Sequence, residues 1–309
     1  MLNYLIFILT IAGIYAVLSQ SLVLSWGMGG IVNLGLAGFF GIGAYTSAMV
    51  TKWGGLPLPV GFALAMLAAA LAGLVVTFST LRLRDDYLAI ITLGFSEVLR
   101  IVANNEVAWT GGSDGISGIP GALPRSSGLS YALFWLCLVS AVAFINFLVL
   151  RRLVAAPWGR ALRAVRDDAV VAAVAGKPVT RIKAQTFALS TAMAGLAGAM
   201  FGHFGSYVAP DMFQPLITIY IFLAVTLGGN GRPAGAVLGA YVLVAFLELT
   251  RFGAEQVGGI SPLQAAALRE ITVAAVLLVL MRVRPRGLLP ELNQKAPQRP
   301  PNSPERPTP

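Results

Sequence analysis

The densest group of ionisable side chains lies in residues 151–183, near the middle of a chain of 309 residues. This segment holds six arginines, two lysines and two aspartates. Arg160, Arg163 and Arg166 follow one another at intervals of three residues, which places them on one face of a helix. The segment therefore predicts a long, basic, helical stretch whose chemistry is binding rather than catalysis.

A second short helix is expected directly after this basic face. Asp167 or Asp168 can cap its first turn, where a carboxylate meets unpaired backbone N–H groups. Gly176 suits a left-handed C-terminal cap, and Pro178 prevents the helix from continuing. Three small apolar side chains are expected on its exposed face: Val171, Ala172 and Ala175. The helix should lie either on anionic lipid headgroups or, because small side chains allow close approach, in a groove of another protein.

The composition points to a membrane. Hydrophobic residues make up 57% of the chain and charged residues 11%, against about 25% charged in a typical globular protein. A soluble core could not cover so much apolar surface, so a lipid bilayer is the expected solvent. The basic residues behind the net charge of +9 lie between apolar spans and at the C-terminus. They form no aromatic-interleaved face, so no nucleic-acid partner is expected.

Cysteine and histidine occur once each. Cys137 lies inside an apolar run, so disulfides and thiolate metal sites are excluded. His203 is expected to be a hydrogen-bonded packing residue, with a ligand or a proton relay as the alternative. No metal site is therefore expected.

Nine apolar segments could cross a bilayer as helices, which predicts an all-α, polytopic transmembrane bundle of about nine spans, with eight to ten as the range. They are residues 3–25, 31–50, 57–80, 87–104, 131–150, 184–208, 215–230, 234–250 and 266–281. Glycine or proline could turn the second and the seventh of these into broken or re-entrant segments. The first lacks a basic leading region and a cleavage site, so a retained helix is expected rather than a signal peptide.

The placement of lysine and arginine predicts the orientation. With nine spans, seventeen of the twenty-two basic residues fall on the side that carries residues 151–183. That side is expected to be cytoplasmic, with the N-terminus outside and the C-terminus inside. Residues 290–309 are rich in proline and poor in hydrophobic residues. They are expected to form a disordered cytoplasmic tail after a membrane domain of residues 1–289.

Seven stretches, in the family's order along the chain, resemble the permease subunits of high-affinity branched-chain amino acid ABC transporters. They are "NLGLAGFFGIGAYTSAMV" (33–50), "RLRDDYLAIITLGFSEVLRIVANN" (82–105), "TGGSDGISGIPG" (110–121), "GRALRAVRDD" (159–168), "AGLAGAMFGHFGSYVAPDMF" (194–213), "TLGGNGRPAGAVLGA" (226–240) and "VLLVLMRVRPRGLL" (276–289). Residues 172–176, "AAVAG", resemble the segment of ABC importer permeases that docks on the ATPase. Val171 stands where many importers have glutamate. The resemblance covers the chain except its proline-rich tail.

Membership in this family implies a non-catalytic permease subunit of an ATP-driven importer in the bacterial inner membrane. The implied partners are a sister permease in a heterodimer, two cytoplasmic ATPases, a periplasmic binding protein, the amino acid itself and membrane lipids. The chain contains no GxxxxGK[ST] phosphate loop, so ATP and Mg²⁺ are expected on the ATPases and no cofactor on this chain. The implied ATPase-coupling residues are Arg160, Arg163, Asp167, Asp168, Ala172, Ala173, Gly176, Lys177 and Pro178.

The resemblance also implies a translocation path along residues 33–50. Its expected residues are Gly35, Gly38, Gly41, Gly43, Tyr45 and Thr46. The glycines would expose backbone groups to a zwitterionic substrate, whereas ordinary small-residue helix packing is the alternative explanation. Glu97 and Arg100 lie one helical turn apart within a span and are expected to form an ion pair.

Two alternatives stay open for the function. Related permeases carry urea, short amides or other small organic solutes on the same architecture. A secondary transporter or channel would work without ATPases, but it would need no basic docking helix and more buried ionisable residues along its path.

Overall fold

The computed structural model describes residues 2–80, 85–123, 128–256, 262–283 and 287–289. Its α-helices are α1 (Leu2–Leu22), α2 (Leu36–Lys52), α3 (Leu58–Thr80), α4 (Asp85–Asn105), α5 (Val107–Thr110), α6 (Leu129–Ala155), α7 (Pro157–Asp167), α8 (Ala169–Val174), α9 (Val179–Gly205), α10 (Pro215–Gly228), α11 (Pro233–Gln256) and α12 (Pro262–Val283). A π-helix, Val23–Met28, continues α1, and 3-10 helices span Gly112–Asp114 and Pro210–Phe213. The short strands β1 (Ile116–Ser117) and β2 (Tyr207–Val208) pair antiparallel. The all-α class is confirmed, whereas the tail of residues 290–309 lies outside the described ranges.

Each of the nine apolar segments predicted to cross a membrane coincides with a helix. Seven helical stretches of the described residues are long and apolar enough for a span: Leu2–Met28, Leu58–Thr80, Tyr87–Asn105, Leu129–Ala155, Val179–Gly205, Pro210–Gly228 and Pro233–Phe252. The other two predicted segments form α2, of 17 residues, and α12. The described residues therefore form a multi-pass membrane protein with seven clear spans, and α2 and α12 are candidates for the other two of the nine predicted.

Helix α9 lies at the centre of the bundle, where it packs against α1, α2 and α3. Small residues bring the backbones together at these crossings. A Cβ atom on Gly198 would meet the carbonyl group of Phe40, and one on Gly43 would meet the backbone of Gly195. On the α3 side, a Cβ atom on Gly195 would lie 2.6 Å from the Ala69 Cβ atom. Because burying apolar area gains little in lipid, this close van der Waals packing is what holds α2, α3 and α9 together.

The chain turns between the π-helix and α2 through residues 29–35, which lack regular helical structure. Leu34 N donates a hydrogen bond to Thr92 Oγ1 at 3.1 Å, and Gly35 N donates to Asn33 Oδ1 at 3.0 Å. Side chains thus satisfy backbone groups that a helix would otherwise pair. The predicted span 31–50 consequently begins as a helix only at Leu36. The segment 215–230 contains one unbroken helix, α10, which ends at Gly228.

A polar cluster closes the end of the bundle that carries β1 and β2, which we call the β end. Lys52 Nζ donates to Ser117 O at 2.6 Å. The fully buried His203 ring contacts Pro120 O through Nδ1 at 2.9 Å and Ser47 Oγ through Nε2 at 2.8 Å. A carbonyl oxygen only accepts, so Nδ1 carries a proton, and in the neutral ring Nε2 then accepts from the Ser47 hydroxyl. His203 is the hydrogen-bonded packing residue that was expected.

Candidate functional site

Helix α8 lies at the opposite end of α9 from the β end, and both of its termini are capped. Asp168 Oδ1 accepts hydrogen bonds from Val170 N at 2.9 Å and from Val171 N at 3.0 Å. After the last turn, Gly176 adopts φ = +76°, and its N–H group donates to Ala173 O at 3.0 Å. The capping expected from the sequence is confirmed for Asp168 and Gly176. These caps stabilise a helix of six residues, which is too short to persist on intrinsic propensity.

The outer face of α8 consists mainly of valine. Val170, Val171 and Val174 are exposed, Val174 at 86%, and Ala173 is exposed beside them. Ala172 is only 4% exposed and belongs to the hydrophobic core. The expectation that Ala172 lies on the outer face is therefore wrong, because α8 uses this small side chain to dock on the bundle. Ala172 holds α8 on the bundle, and the valines form its exposed surface.

The arginines at the start of α7 face backbone carbonyl groups at the end of α6. Arg160 Nη1 lies 3.4 Å from Ala155 O, and Arg163 Nη1 lies 3.5 Å from Val154 O. The last carbonyl groups of a helix have no partner within it and carry the negative end of the helix dipole, so they attract cations. These long contacts join α7 to α6.

Arg166 makes a closer contact than Arg160 or Arg163, and sequence patterns alone did not single it out for coupling. Its Nη1 atom donates to Gly27 O in the π-helix at 2.7 Å. Its Nε atom donates to Asp167 Oδ1 at 3.2 Å. Asp167 is thus the ion-pair partner of Arg166, and the side-chain cap of α8 comes from Asp168. The contact with Gly27 connects the α8 region to the first span.

Lys177 and Pro178 follow the α8 cap and are exposed. Both line an open groove of about 610 Å³ beside α8, together with Leu74 and Phe78 of α3 and Arg181 of α9. The nine predicted coupling residues are therefore gathered in one region, from the end of α6 to the start of α9.

A second site is a cavity of about 240 Å³ between α2 and α4, with Pro210 and Phe213 in its wall. Four predicted path residues of α2 line it at helical spacing: Gly38, Gly41, Tyr45 and Thr46. The facing stripe of α4 comprises Ser96, Leu99, Arg100 and Ala103. The periodicity of α2 carried a usable signal for this cavity, but its partner stripe on α4 was not predicted, and Arg100 was expected only as the ion-pair partner of Glu97.

The other two predicted path residues lie elsewhere. A Cβ atom on Gly35 would meet the carbonyl group of Thr92 in α4, and one on Gly43 would meet the Gly195 backbone in α9. Neither glycine lines the cavity. For Gly35 and Gly43 the alternative explanation, close helix packing, is the one that fits the structure.

Two polar side chains of the cavity are buried without a partner. Tyr45 is 8% and Ser96 1% exposed. Neither the Tyr45 hydroxyl nor the Ser96 hydroxyl forms a hydrogen bond in the described structure. Such orphaned hydroxyl groups are uncommon in proteins, and a water molecule or a ligand can satisfy them.

Charged groups surround the same cavity at the C-terminal end of α4. Arg100 donates from Nε to both Glu97 carboxylate oxygens at 3.1 Å and from Nη2 to Oε1 at 2.6 Å, which confirms the expected ion pair. Arg100 Nη1 lies 3.4 Å from Asp211 Oδ1. Glu106 also lines the cavity. No group of three histidine, cysteine or acidic side chains able to hold a metal ion was found among the described residues.

The architecture and these two sites define a polytopic helical membrane protein. A family model described as "Branched-chain amino acid transport system / permease component" matches residues 4–281. The chain therefore belongs to the family of branched-chain amino acid transport permeases, the family that its sequence motifs resemble.

Individual relatives agree with this assignment. The chain is 34% identical to the high-affinity branched-chain amino acid transport system permease protein LivM of Salmonella typhimurium, over 92% of this chain and 69% of the relative. It is 28% identical to the probable branched-chain amino acid transport permease protein LivM of Methanocaldococcus jannaschii, over 90% of this chain and 91% of the relative. It is 24% identical to the high-affinity permease protein LivH of Escherichia coli, over 91% of this chain and 92% of the relative.

Proposed function

We propose that this chain is the membrane-spanning subunit of an ATP-driven importer and forms part of the path for branched-chain amino acids. The observation that carries the proposal is α8: a short helix, capped at both ends, that exposes three valines outside the bundle. A lipid-facing helix needs no such fixed geometry, whereas a helix that fits a groove in another protein does. The family supplies the chemical class of the cargo.

The proposed assembly contains four other protein subunits, together with the transported amino acid and the surrounding lipids. A sister permease forms a heterodimer with this chain, in line with the similarity to relatives named LivM and LivH. The assembly contains two ATPases, one of which binds at α8 of this chain, and they carry ATP and Mg²⁺, for which this chain has no phosphate loop. A periplasmic binding protein delivers the amino acid at the β end, and lipids of the bacterial inner membrane surround the bundle. The N-terminus lies outside and residues 151–183 lie in the cytoplasm.

The proposed mechanism transmits motion from α8 into the spans. When the ATPases close, they push on the valine face of α8, which its caps keep rigid. Arg166 passes the displacement to Gly27 at 2.7 Å, next to the irregular turn before α2. Movement of α2 against α4 then changes the cavity between them, so the two permeases switch from outward-facing to inward-facing.

A matched pair of variants tests this function. Val174→Glu places a charge on the exposed face of α8, and Ala164→Glu places the same charge on the exposed side of α7. Both are purified with a sister permease and ATPases and reconstituted with the binding protein. Val174→Glu is expected to lose ATPase co-purification and ATP-dependent leucine uptake together, because a buried unpaired charge opposes docking. Ala164→Glu should retain both, and normal docking and uptake by Val174→Glu would contradict the proposal.

A further inference from the structure

Two hydroxyl groups in the α2–α4 cavity form no hydrogen bond with any described residue. Tyr45 and Ser96 both line the cavity, and both hydroxyl oxygens are buried without a hydrogen bond in the described structure. A buried hydroxyl group has lost its bonds to water, so an unpaired one is unfavourable. The two groups therefore point to a polar ligand between α2 and α4.

Groups of opposite charge line the same cavity. Glu97 occupies Nε and Nη2 of Arg100, which leaves Nη1 with only the 3.4 Å contact to the exposed Asp211. Glu106 also lines the cavity, and its carboxylate forms none of the ion pairs found between described residues. A ligand with both a carboxylate and an ammonium group can pair with both Arg100 and Glu106. A ligand with a single charge can pair with only one of these two side chains.

The rest of the wall is apolar. It is formed by Ile42, Met49, Leu99, Val102, Ala103 and Phe213. The volume of about 240 Å³ lies below the range of roughly 300–1,000 Å³ that is typical of pockets for drug-sized ligands. The cavity therefore suits a small molecule with one apolar group.

Glycine keeps this space open on the α2 side. A Cβ atom on Gly38 would lie 2.8 Å from Ser96 Cα, and one on Gly41 would lie 3.1 Å from the Phe213 ring. Any larger side chain at Gly38 would crowd the Ser96 hydroxyl and reduce the cavity.

We propose that the cavity binds the zwitterion of an α-amino acid with a short apolar side chain. The hydroxyl groups of Tyr45 and Ser96 and the guanidinium of Arg100 bind the carboxylate, Glu106 binds the ammonium group, and the apolar wall contacts the side chain. This assignment rests on the proposed function, because it makes the cavity a substrate-binding site on the transport path. Few polar contacts hold the ligand, so binding is weak enough for release, as transport requires.

The test compares two double variants: one lacks two hydroxyl oxygens of the cavity, and the matched control lacks two hydroxyl oxygens outside it. The cavity variant is Tyr45→Phe/Ser96→Ala. The control is Tyr87→Phe/Ser79→Ala, at exposed positions of α4 and α3 that do not line the cavity. In proteoliposomes that contain the complete transporter, leucine uptake by the cavity variant is expected to fall about tenfold or more, whereas uptake by the control stays within about twofold of wild type.

A binding measurement separates this site from the proposed function. The thermal unfolding of the solubilised complex is followed with L-leucine, with 4-methylpentanoate, which lacks the ammonium group, and with isoamylamine, which lacks the carboxylate. Only leucine is expected to raise the Tm, in the wild type and the control but not in the cavity variant. If the cavity variant keeps both its leucine uptake and its leucine-dependent Tm, the assignment is overturned. A wild-type complex that takes up no leucine contradicts the proposed function, and the Tm response then decides the cavity assignment by itself.

Discussion

Arg166 Nη1 and Gly27 O are joined by a 2.7 Å hydrogen bond between α7 and the π-helix that ends the first span. The two residues are 139 positions apart in the chain. The carbonyl belongs to the C-terminal end of a helix, where a guanidinium is favoured. This bond connects α7, next to α8, to the first span without involving the exposed valines of α8, so it should affect coupling more than docking.

Replacing Arg166 with glutamine should separate ATPase binding from transport. Arg166→Gln loses a charge-assisted hydrogen bond, worth about 1.5–3 kcal/mol, but leaves the valine face of α8 unchanged. The complex should therefore still hydrolyse ATP while leucine uptake falls. ATP hydrolysis and uptake measured on the same proteoliposomes give the ratio of ATP consumed to leucine transported. Arg151→Gln, at an exposed position of α6, is the control, and an unchanged ratio in Arg166→Gln would rule out this transmission role.

The Asp168 side-chain cap should keep α8 folded. Asp168→Ala removes the acceptor for two backbone N–H groups, which costs about 1 kcal/mol of local stability. Amide hydrogen exchange in residues 169–174 should become faster. Asp168→Asn retains a capping oxygen and should restore slow exchange. Equal exchange in the aspartate and alanine proteins would show that the cap does not hold α8.

Two glycine substitutions should have opposite effects on stability. Gly43→Ala forces a Cβ atom into the Gly195 backbone, and overpacking of this kind costs about 1–3 kcal/mol or more. A Cβ atom on Gly94 would meet nothing within 4 Å, so Gly94→Ala should stabilise α4 by about 0.5–1 kcal/mol through its higher helix propensity. Thermal unfolding of the solubilised protein should therefore show a lower Tm for Gly43→Ala only. A Tm for Gly43→Ala at or above that of Gly94→Ala would contradict the packing at this crossing.

His203 should anchor the β end. His203→Leu leaves the Ser47 hydroxyl and the Pro120 carbonyl without their partner, and each unpaired buried group costs about 1–3 kcal/mol. The segment of residues 111–120 should then be cleaved faster in limited proteolysis from the side of the β end. Ser47→Ala removes one of the two bonds and should give an intermediate rate. Identical cleavage of all three proteins would mean that His203 does not hold the segment.

Much of the architecture could be predicted from the sequence because hydrophobicity and caps act locally. The nine apolar segments each coincide with a helix. The Asp168 cap depends on residues only two and three positions away, and the Gly176 cap depends on backbone conformation. The sequence indicated that segment 31–50 could be broken but not where, because the Leu34 N–H group is paired by Thr92, a residue on another span.

The faces that helices present to one another were harder to predict. A helix as short as α8 can dock through any side, and only its packing on the bundle shows that Ala172 is inside and Val170 outside. The glycines of α2 looked alike in sequence, yet Gly41 lines the cavity and Gly43 lies at the crossing with α9. Ser96 could not be recognised from the sequence. Its importance depends on the cavity that it lines together with Tyr45, whose hydroxyl is also unpaired.

The energy source of leucine uptake is the measurement that tests the central claim most directly. Wild-type chain, sister permease and ATPases are reconstituted in proteoliposomes with the binding protein, and uptake of radiolabelled leucine is followed with ATP, with a non-hydrolysable analogue or with imposed ion gradients. We predict uptake that requires hydrolysable ATP and continues when ion gradients are dissipated. Uptake driven by an ion gradient without the ATPases would contradict the account and assign the chain to the secondary transporters.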